Sequence, residues 1–348
     1  MDGEIHKRRA HYSGTHPVKF AEKYKELDPE KYSGTVEHVK SKGITPAGMH
    51  IPIMADEIME ILHIQPGECG YDATLGYGGH SEKMLKLLGG RGHLYATDVD
   101  PEESARTVAR LRGLGFGEDI FTLKLMNFSE ADVIAAQAGG FDFVLADLGI
   151  SSMQLDNPER GFSYKTDGPL DLRMNQQAGE PASIRLAAMS EDEIAGMLAD
   201  NADEPYASEI AHEIVRAGKR GTEIKTTRDL HVIVERALQF LPRDERAEAG
   251  KKSSARVFQA LRIDVNGEYE ALYSFLEKLP KILRPGGRAA ILTFHSGEDR
   301  FVKNSFRELE KQGVYSSTAH EVTRASAAEC MANSRARSAK LRWAVRSM

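Results

Sequence analysis

The stretch Asp72-Ala73-Thr74-Leu75-Gly76-Tyr77-Gly78-Gly79-His80 constrains this chain more than any other. Glu68-Cys69-Gly70-Tyr71 before it reads as the start of a strand, and Ser81 to Leu88 after it reads as a helix. Strand, glycine turn and helix are the parts of a nucleotide-binding βα unit. Glycine has no Cβ, so the backbone can approach a ligand closely, and a helix start offers N–H groups without a partner inside the helix. Asp98 follows Gly78 at the ribose-acid spacing and closes a second strand-like run, His93 to Asp98. An acid there is placed to hold a pair of ribose hydroxyls. Together these features predict a nucleoside cofactor; the alternative is a tight turn in an α/β domain that binds none.

Strand and helix alternate through the rest of this half. Ala55 to Leu62 and Pro101 to Leu111 carry helical spacing, and Ile120 to Leu125 reads as a third strand. Phe141 to Asp147 is a nearly continuous apolar run, as a buried parallel strand requires. The pattern predicts a doubly wound sheet. It then breaks: residues 151–257 offer no strand, and Ile194 to Leu198, Ala207 to Ala217 and Thr227 to Phe240 are expected as helices. The α/β rhythm returns with a helix over Asn266 to Leu283 and a fifth strand over Arg288 to Phe294. A helix opened by Ser296, with Asp299 three residues on as a capping box, should end at Gly313. Val314 to Thr323 and Ala339 to Ser347 are expected to pair as an antiparallel hairpin at the sheet edge. The division predicted is an N-terminal extension (1–47), a core (48–150 and 258–348) and a helical insertion (151–257).

Composition excludes several classes. No apolar run approaches the ~18 residues that span a membrane, and Met1 to Arg9 lacks the apolar core of a signal peptide. Cys69 and Cys330 are far apart, without metal-ligand spacing, which suits a reduced cytoplasmic setting. The formal net charge of −6 means that nucleic acid would have to meet local basic patches. One such group is Lys251, Lys252, Arg256 and Arg262, and another is Arg335, Arg337, Lys340, Arg342 and Arg346.

In open α/β sheets ligands bind at the carboxyl ends of the strands. Those ends carry Thr74 to His80, Asp98, Asn127-Phe128, Asp147-Leu148-Gly149 and Phe294-His295-Ser296. A nicotinamide dinucleotide and S-adenosylmethionine both suit such a place. The dinucleotide fingerprint asks for a third glycine where Ser81 stands, which favours the methyl donor, since that has no pyrophosphate to cradle.

The longer motifs resemble a known family. They are His50-Ile51-Pro52, Gly78 to Ser81, Asp147 to Asp156, Glu159 to Ser163, Asp167 to Met174, Phe258 to Ile263, Phe294-His295-Ser296 and Arg337 to Arg342. Together they look like the ribosomal small-subunit methyltransferase H family, also called MraW, from about residue 48 onward. The resemblance implies a Rossmann-like class I methyltransferase sheet with an inserted α-helical domain that helps to bind RNA. It implies a cytoplasmic enzyme that uses S-adenosylmethionine to methylate the N4 amine of a cytosine in 16S rRNA of the small ribosomal subunit; a homodimer is compatible with it. Carried over by position, Gly78, Gly79, His80, Asp98, Phe128, Asp147 and Gln154 would contact the cofactor. Tyr77 stands where many members have Arg, Gly297 where they usually have Leu, and Ser253-Ser254 where His-Pro is more usual.

Direct transfer to an amine needs no metal. It needs positioning, desolvation and a hydrogen-bond acceptor that aims the lone pair. Asp147 is the expected catalytic acceptor, with cofactor binding alone as its other role, and His295 is the second candidate. The target base must leave its stack to enter such a site. Two alternatives stay open at this point: a diverged paralogue acting on another nucleic acid, and a non-catalytic ribosome assembly factor.

Overall fold

In the computed structural model residues 52–348 are described; the expected extension over residues 1–47 lies outside them. The chain opens with α1 (Ala55–Leu62), β1 (Cys69–Asp72), α2 (Gly79–Leu88), β2 (His93–Asp98) and α3 (Pro101–Gly113). Next come β3 (Phe121–Leu125), α4 (Ala131–Ala138), β4 (Phe141–Asp147) and the short α5 (Ser152–Asp156). Five helices follow without a strand: α6 (Ala182–Ala188), α7 (Glu191–Ala202), α8 (Ala207–Lys219), α9 (Thr227–Ala237) and α10 (Arg246–Asn266). The chain closes with α11 (Glu268–Ile282), β5 (Leu283–Thr293), α12 (Ser296–Lys311), β6 (Tyr315–Thr318), α13 (Ala327–Ala332) and β7 (Lys340–Arg346).

The strands form one seven-stranded sheet in the order β3-β2-β1-β4-β5-β7-β6. β1 to β5 pair in parallel, while β7 runs antiparallel to both β5 and β6. This is the doubly wound α/β architecture expected, with the predicted hairpin at the edge. Strand order reverses between β1 and β4, so the switch point, and the crevice for a ligand, lies where Asp72 and Asp147 end their strands. Both sheet faces are covered. Tyr71, Val144, Phe275 and Ile291 belong to the core on one side, and Met84, Leu94, Phe143 and Leu145 to that on the other.

The inserted helices hold a third core, built on Ile194, Leu198, Ile210, Leu230 and Val234. Val257, Phe258 and Leu261 of α10 belong to it too, so this helix runs unbroken past residue 258. The expected helix start at Asn266 is instead the end of α10. Gly267, at φ 58, caps α10 and lets α11 begin at once.

Candidate functional site

Local chemistry fixes each loop at the carboxyl end of the sheet. Gly78 precedes α2 at φ 74, and a Cβ there would lie 2.6 Å from the Thr107 side chain on α3. Glycine is thus required by both the backbone and the close approach of α3. No side chain caps α2, which begins at the carboxyl end of β1. Tyr77, in place of an arginine, is covered by one: the Arg110 guanidinium sits 4.6 Å from its ring centre and donates to its carbonyl at 2.7 Å.

Asp98 is held by backbone donors. Its two carboxylate oxygens accept from Gly76 N at 2.7 Å and from Asp100 N at 2.9 Å, and burial raises its pKa. A carboxylate has about four lone-pair sites, so some capacity is left for a hydroxyl. Asp100, not Asp98, caps α3, accepting from the backbone of Glu102 and Glu103. Phe128 sits on the turn after β3, half-buried, edge-on to Phe275 at 5.4 Å.

Asp147 is strongly perturbed. Its backbone N–H donates to Thr74 Oγ1 at 2.8 Å, and its Oδ1 is buried without a hydrogen bond. Its Oδ2 lies 3.4 Å from His80 Nδ1. Burial, with the nearby Asp72 and Glu298 carboxylates, pushes its pKa up to about 8. His80 Nε2 lies 3.0 Å from the Ile53 carbonyl, which can only accept, so Nε2 carries a proton. In neutral His80, Nδ1 is then an acceptor facing a carboxyl that retains its proton.

Gln154 is buried and fully engaged. Its Oε1 accepts from Ser151 N at 3.0 Å in a capping box for α5, and its Nε2 donates to Asp100 Oδ2 at 2.8 Å. Arg160 Nη1 donates to the same Asp100 oxygen at 2.7 Å, and its Nη2 to the carbonyls of Arg173 and Met174. Gln154 is therefore tied to Asp100, a hub that sequence reasoning missed. Asp100, Arg160, Glu103 and Ser151 form a buried knot that ties the loop after β4 to the start of α3. The available signal was Arg160 inside the quoted Glu159 to Ser163 motif.

His295 turns toward its own helix. It is the N-cap of α12, where Ser296 was expected to be; its Nδ1 faces Glu298 N at 3.5 Å and its Nε2 lies 3.1 Å from Glu298 Oε1. Asp299 does not complete a capping box. It binds Arg342 at 2.6 Å and Lys340 at 3.6 Å. Burial opposes ionisation of Glu298, yet His295 and Arg262 hold its pKa below the usual range. The imidazole lies against its own helix, yet its Nε2, like Asp147 Oδ1, is buried without a hydrogen bond.

Gly297 has a steric reason. A Cβ there would lie 1.9 Å from the Tyr269 hydroxyl, which donates to the Asn201 carbonyl of α7 at 3.0 Å. Gly297→Ala should lower stability by about 1–3 kcal/mol through overpacking. In a Tyr269→Ala background the same change should be close to neutral. Urea melts of the four proteins test this coupling.

Most of the cations expected to meet RNA are used internally. Arg262 pairs with Glu268 at 2.8 Å, Arg335 with Asp156 at 2.8 Å, Arg256 with Glu204 at 3.9 Å and Lys252 with Glu248 at 3.2 Å. Arg342 is buried on Asp299, and Arg346 donates to the Leu283 carbonyl. The second basic group is thus largely structural, because β7 needs these arginines to fasten it to its neighbours. Exposed Lys251 and Arg337 make no ion pair among the described residues.

Three buried carboxyls give the fold a pH dependence. Burial pushes Asp72 up to about 6, Glu103 up to about 7 and Asp147 up to about 8. A carboxyl raised above its unfolded value contributes stability that is full below the unfolded pKa and is lost as pH rises through the folded one. Glu103→Gln, which keeps an acceptor for Ser151, should therefore gain stability relative to the parent as pH rises from about 5 to about 8. Denaturant melts across that range measure it.

The MraW methylase family model matches residues 47–347. "Ribosomal RNA small subunit methyltransferase H 1" of Agathobacter rectalis is 60% identical over 98% of this chain and 98% of its own length. The protein of the same name from Lachnoclostridium phytofermentans is 58% identical over 99% of this chain and 94% of its own length. "Ribosomal RNA small subunit methyltransferase H" of Thioalkalivibrio sulfidiphilus is 39% identical over 86% of this chain and 98% of its own length.

Proposed function

Since the chain belongs to the MraW methylase family, we propose that it methylates the N4 amine of a cytosine in 16S rRNA of the small ribosomal subunit. The chain is a methyltransferase that uses S-adenosylmethionine. The observation that carries the finer reading is Asp147: a carboxyl at the switch point with one buried oxygen unpartnered and the other against His80.

The residues present fit the cofactor. The glycine turn before α2 carries no side-chain cap, Asp98 stands at the ribose-acid place with backbone donors holding it, and Asp147 retains an oxygen in need of a donor. Gly78, Gly79, His80, Asp98 and Phe128 would hold it, with Gln154 supporting that contact through Asp100. S-adenosylmethionine supplies an electrophilic methyl carbon on a cationic sulfur.

The chain's own residues do the rest. The positive charge that S-adenosylmethionine would bring to this crevice would favour the ionised form of Asp147. The freed carboxylate accepts a hydrogen bond from N4–H and turns the amine lone pair toward the methyl carbon. Methylation of N4 would leave that nitrogen with one proton to lose, and Asp147, beside His80, would accept it. Burial excludes water, which strengthens each of these contacts. His295 positions the start of α12 beside this acceptor.

In this reading residues 151–257 recognise the RNA, residues 48–150 and 258–348 form the catalytic core, and the partner is the small subunit in the cytoplasm; a homodimer is tested by size-exclusion chromatography. No described helix is long and apolar enough to cross a membrane. The test is methyl transfer from labelled S-adenosylmethionine to unmodified bacterial small subunits, with naked rRNA and DNA alongside. Nucleoside mass spectrometry should find N4-methylcytidine in RNA; a methylated DNA base, or no transfer despite cofactor binding, would overturn the reading.

A further inference from the structure

One surface of the inserted helices combines rings and cations that the transfer chemistry does not use. The Tyr164 ring stacks on His231, with centres 5.0 Å apart and planes 29° apart, and leans on Phe258 at 5.9 Å. Both rings are fixed. The Tyr164 hydroxyl donates to the Lys251 carbonyl at 3.4 Å, and His231 Nδ1 lies 2.7 Å from Ser254 Oγ. The loop after α5, α9 and α10 therefore converge on one half-buried pair of aromatic side chains.

Cations border this pair on all three segments. Lys165 follows Tyr164 in the chain, Arg228 stands one turn before His231 on α9, and Lys251 stands one turn before Ser254 on α10. All three are exposed and make no ion pair among the described residues. The acids nearby are engaged in part: Glu235 lies 3.5 Å from His231 Nε2, Glu248 pairs with Lys252, and Asp167 accepts from the Arg228 backbone.

The platform also lies near the reaction. Tyr164 is four residues beyond Arg160, which is bonded to Asp100 at the carboxyl end of the sheet. Four residues of chain reach at most about 14 Å. A nucleotide a few steps from a base in the catalytic crevice would come within range.

We propose that Tyr164 and His231, with Lys165, Arg228 and Lys251, bind single-stranded RNA flanking the target cytosine. A base stacks on the rings and neighbouring phosphates meet the cations. This rests on the RNA reading above. Stacking is tolerant of sequence and is strongest on rings already held in place, because little side-chain freedom is then lost. Unpaired cations suit phosphate, and each contact releases counterions.

The test uses the full chain and three variants: Tyr164→Leu, Tyr164→Trp and the double change Arg228→Gln with Lys251→Gln. Each is checked by thermal melting, then assayed for S-adenosylmethionine affinity and for KM and kcat on unmodified small subunits and naked rRNA. Tyr164→Leu should raise KM for RNA about tenfold, and Tyr164→Trp should restore it. The double change should raise KM similarly and reduce the slope of log affinity against log salt by about 1.4, for two single-strand contacts. Cofactor affinity should not move. Unchanged KM and salt slope in folded variants would overturn the proposal while leaving the methyltransferase reading intact. A KM effect on subunits that vanishes on naked rRNA would overturn it too, by pointing to a ribosomal protein. A parent that transfers no methyl to RNA would fail the functional reading first, and this one with it.

Discussion

Asp147→Asn should lower turnover by about 10²- to 10⁴-fold, the usual size of a lost general base. Affinity for S-adenosylmethionine should change far less. The amide fits the same space beside Thr74 and His80, so the fold is kept, but it cannot take the proton that N4 must lose. Equilibrium cofactor binding and single-turnover transfer on small subunits separate the two effects. Equal losses in both would make Asp147 a cofactor ligand only. The pH profile gives an independent check. Because burial pushes Asp147 up to about 8, the free enzyme should lose kcat/KM as pH falls below that value. A cation bound beside the carboxylate lowers its pKa, so the acid limb of kcat should lie at lower pH than that of kcat/KM. Asp147→Asn should remove this limb from both.

Arg160→Ala carries the second large effect, and it acts on stability. The Arg160 side chain is 8% exposed and that of its partner Asp100 is 2% exposed. Removing the guanidinium takes the cation from a buried carboxylate, which keeps only Gln154 and the backbone of Glu102 and Glu103, and frees the carbonyls of Arg173 and Met174. Breaking one partner of a buried pair costs about 3–5 kcal/mol. For a chain of this size that lowers Tm by roughly 10 °C. Removing both charges with Asp100→Asn and Arg160→Met should restore part of the loss. Calorimetry on the single and double variants would show it; a single variant that melts with the parent would sink this account of the knot.

Most of the site was legible because its residues are local in sequence. The Gly78 turn, Asp98 one strand on and Asp147 at the end of an apolar run each declare themselves by type and spacing. The parallel sheet follows from the same alternation of strand and helix, and the edge hairpin from the two runs after Gly313. The family motifs then tie these pieces to one chemistry. What spacing does not report is which partner a polar side chain finds. Gln154 and His295 stand at the right places, yet Gln154 is spent on Asp100 and Ser151, and His295 on the first turn of α12.

The same limit governs the charges. Arg342 and Arg262 look like RNA contacts in a list of basic residues, but in the fold they lie against Asp299 and Glu268. Lys251 looks no different in sequence and is left exposed. Gly297 is a departure without a cause until the Tyr269 hydroxyl is found where its Cβ would stand. The sequence by itself determined the sheet, the switch point and the turn residues, because periodicity and backbone geometry are properties of neighbours along the chain. Only the tertiary structure decided which carboxyl keeps its proton and which cations remain for a ligand. Burial and pairing, which set both, arise between segments that the chain brings together only on folding.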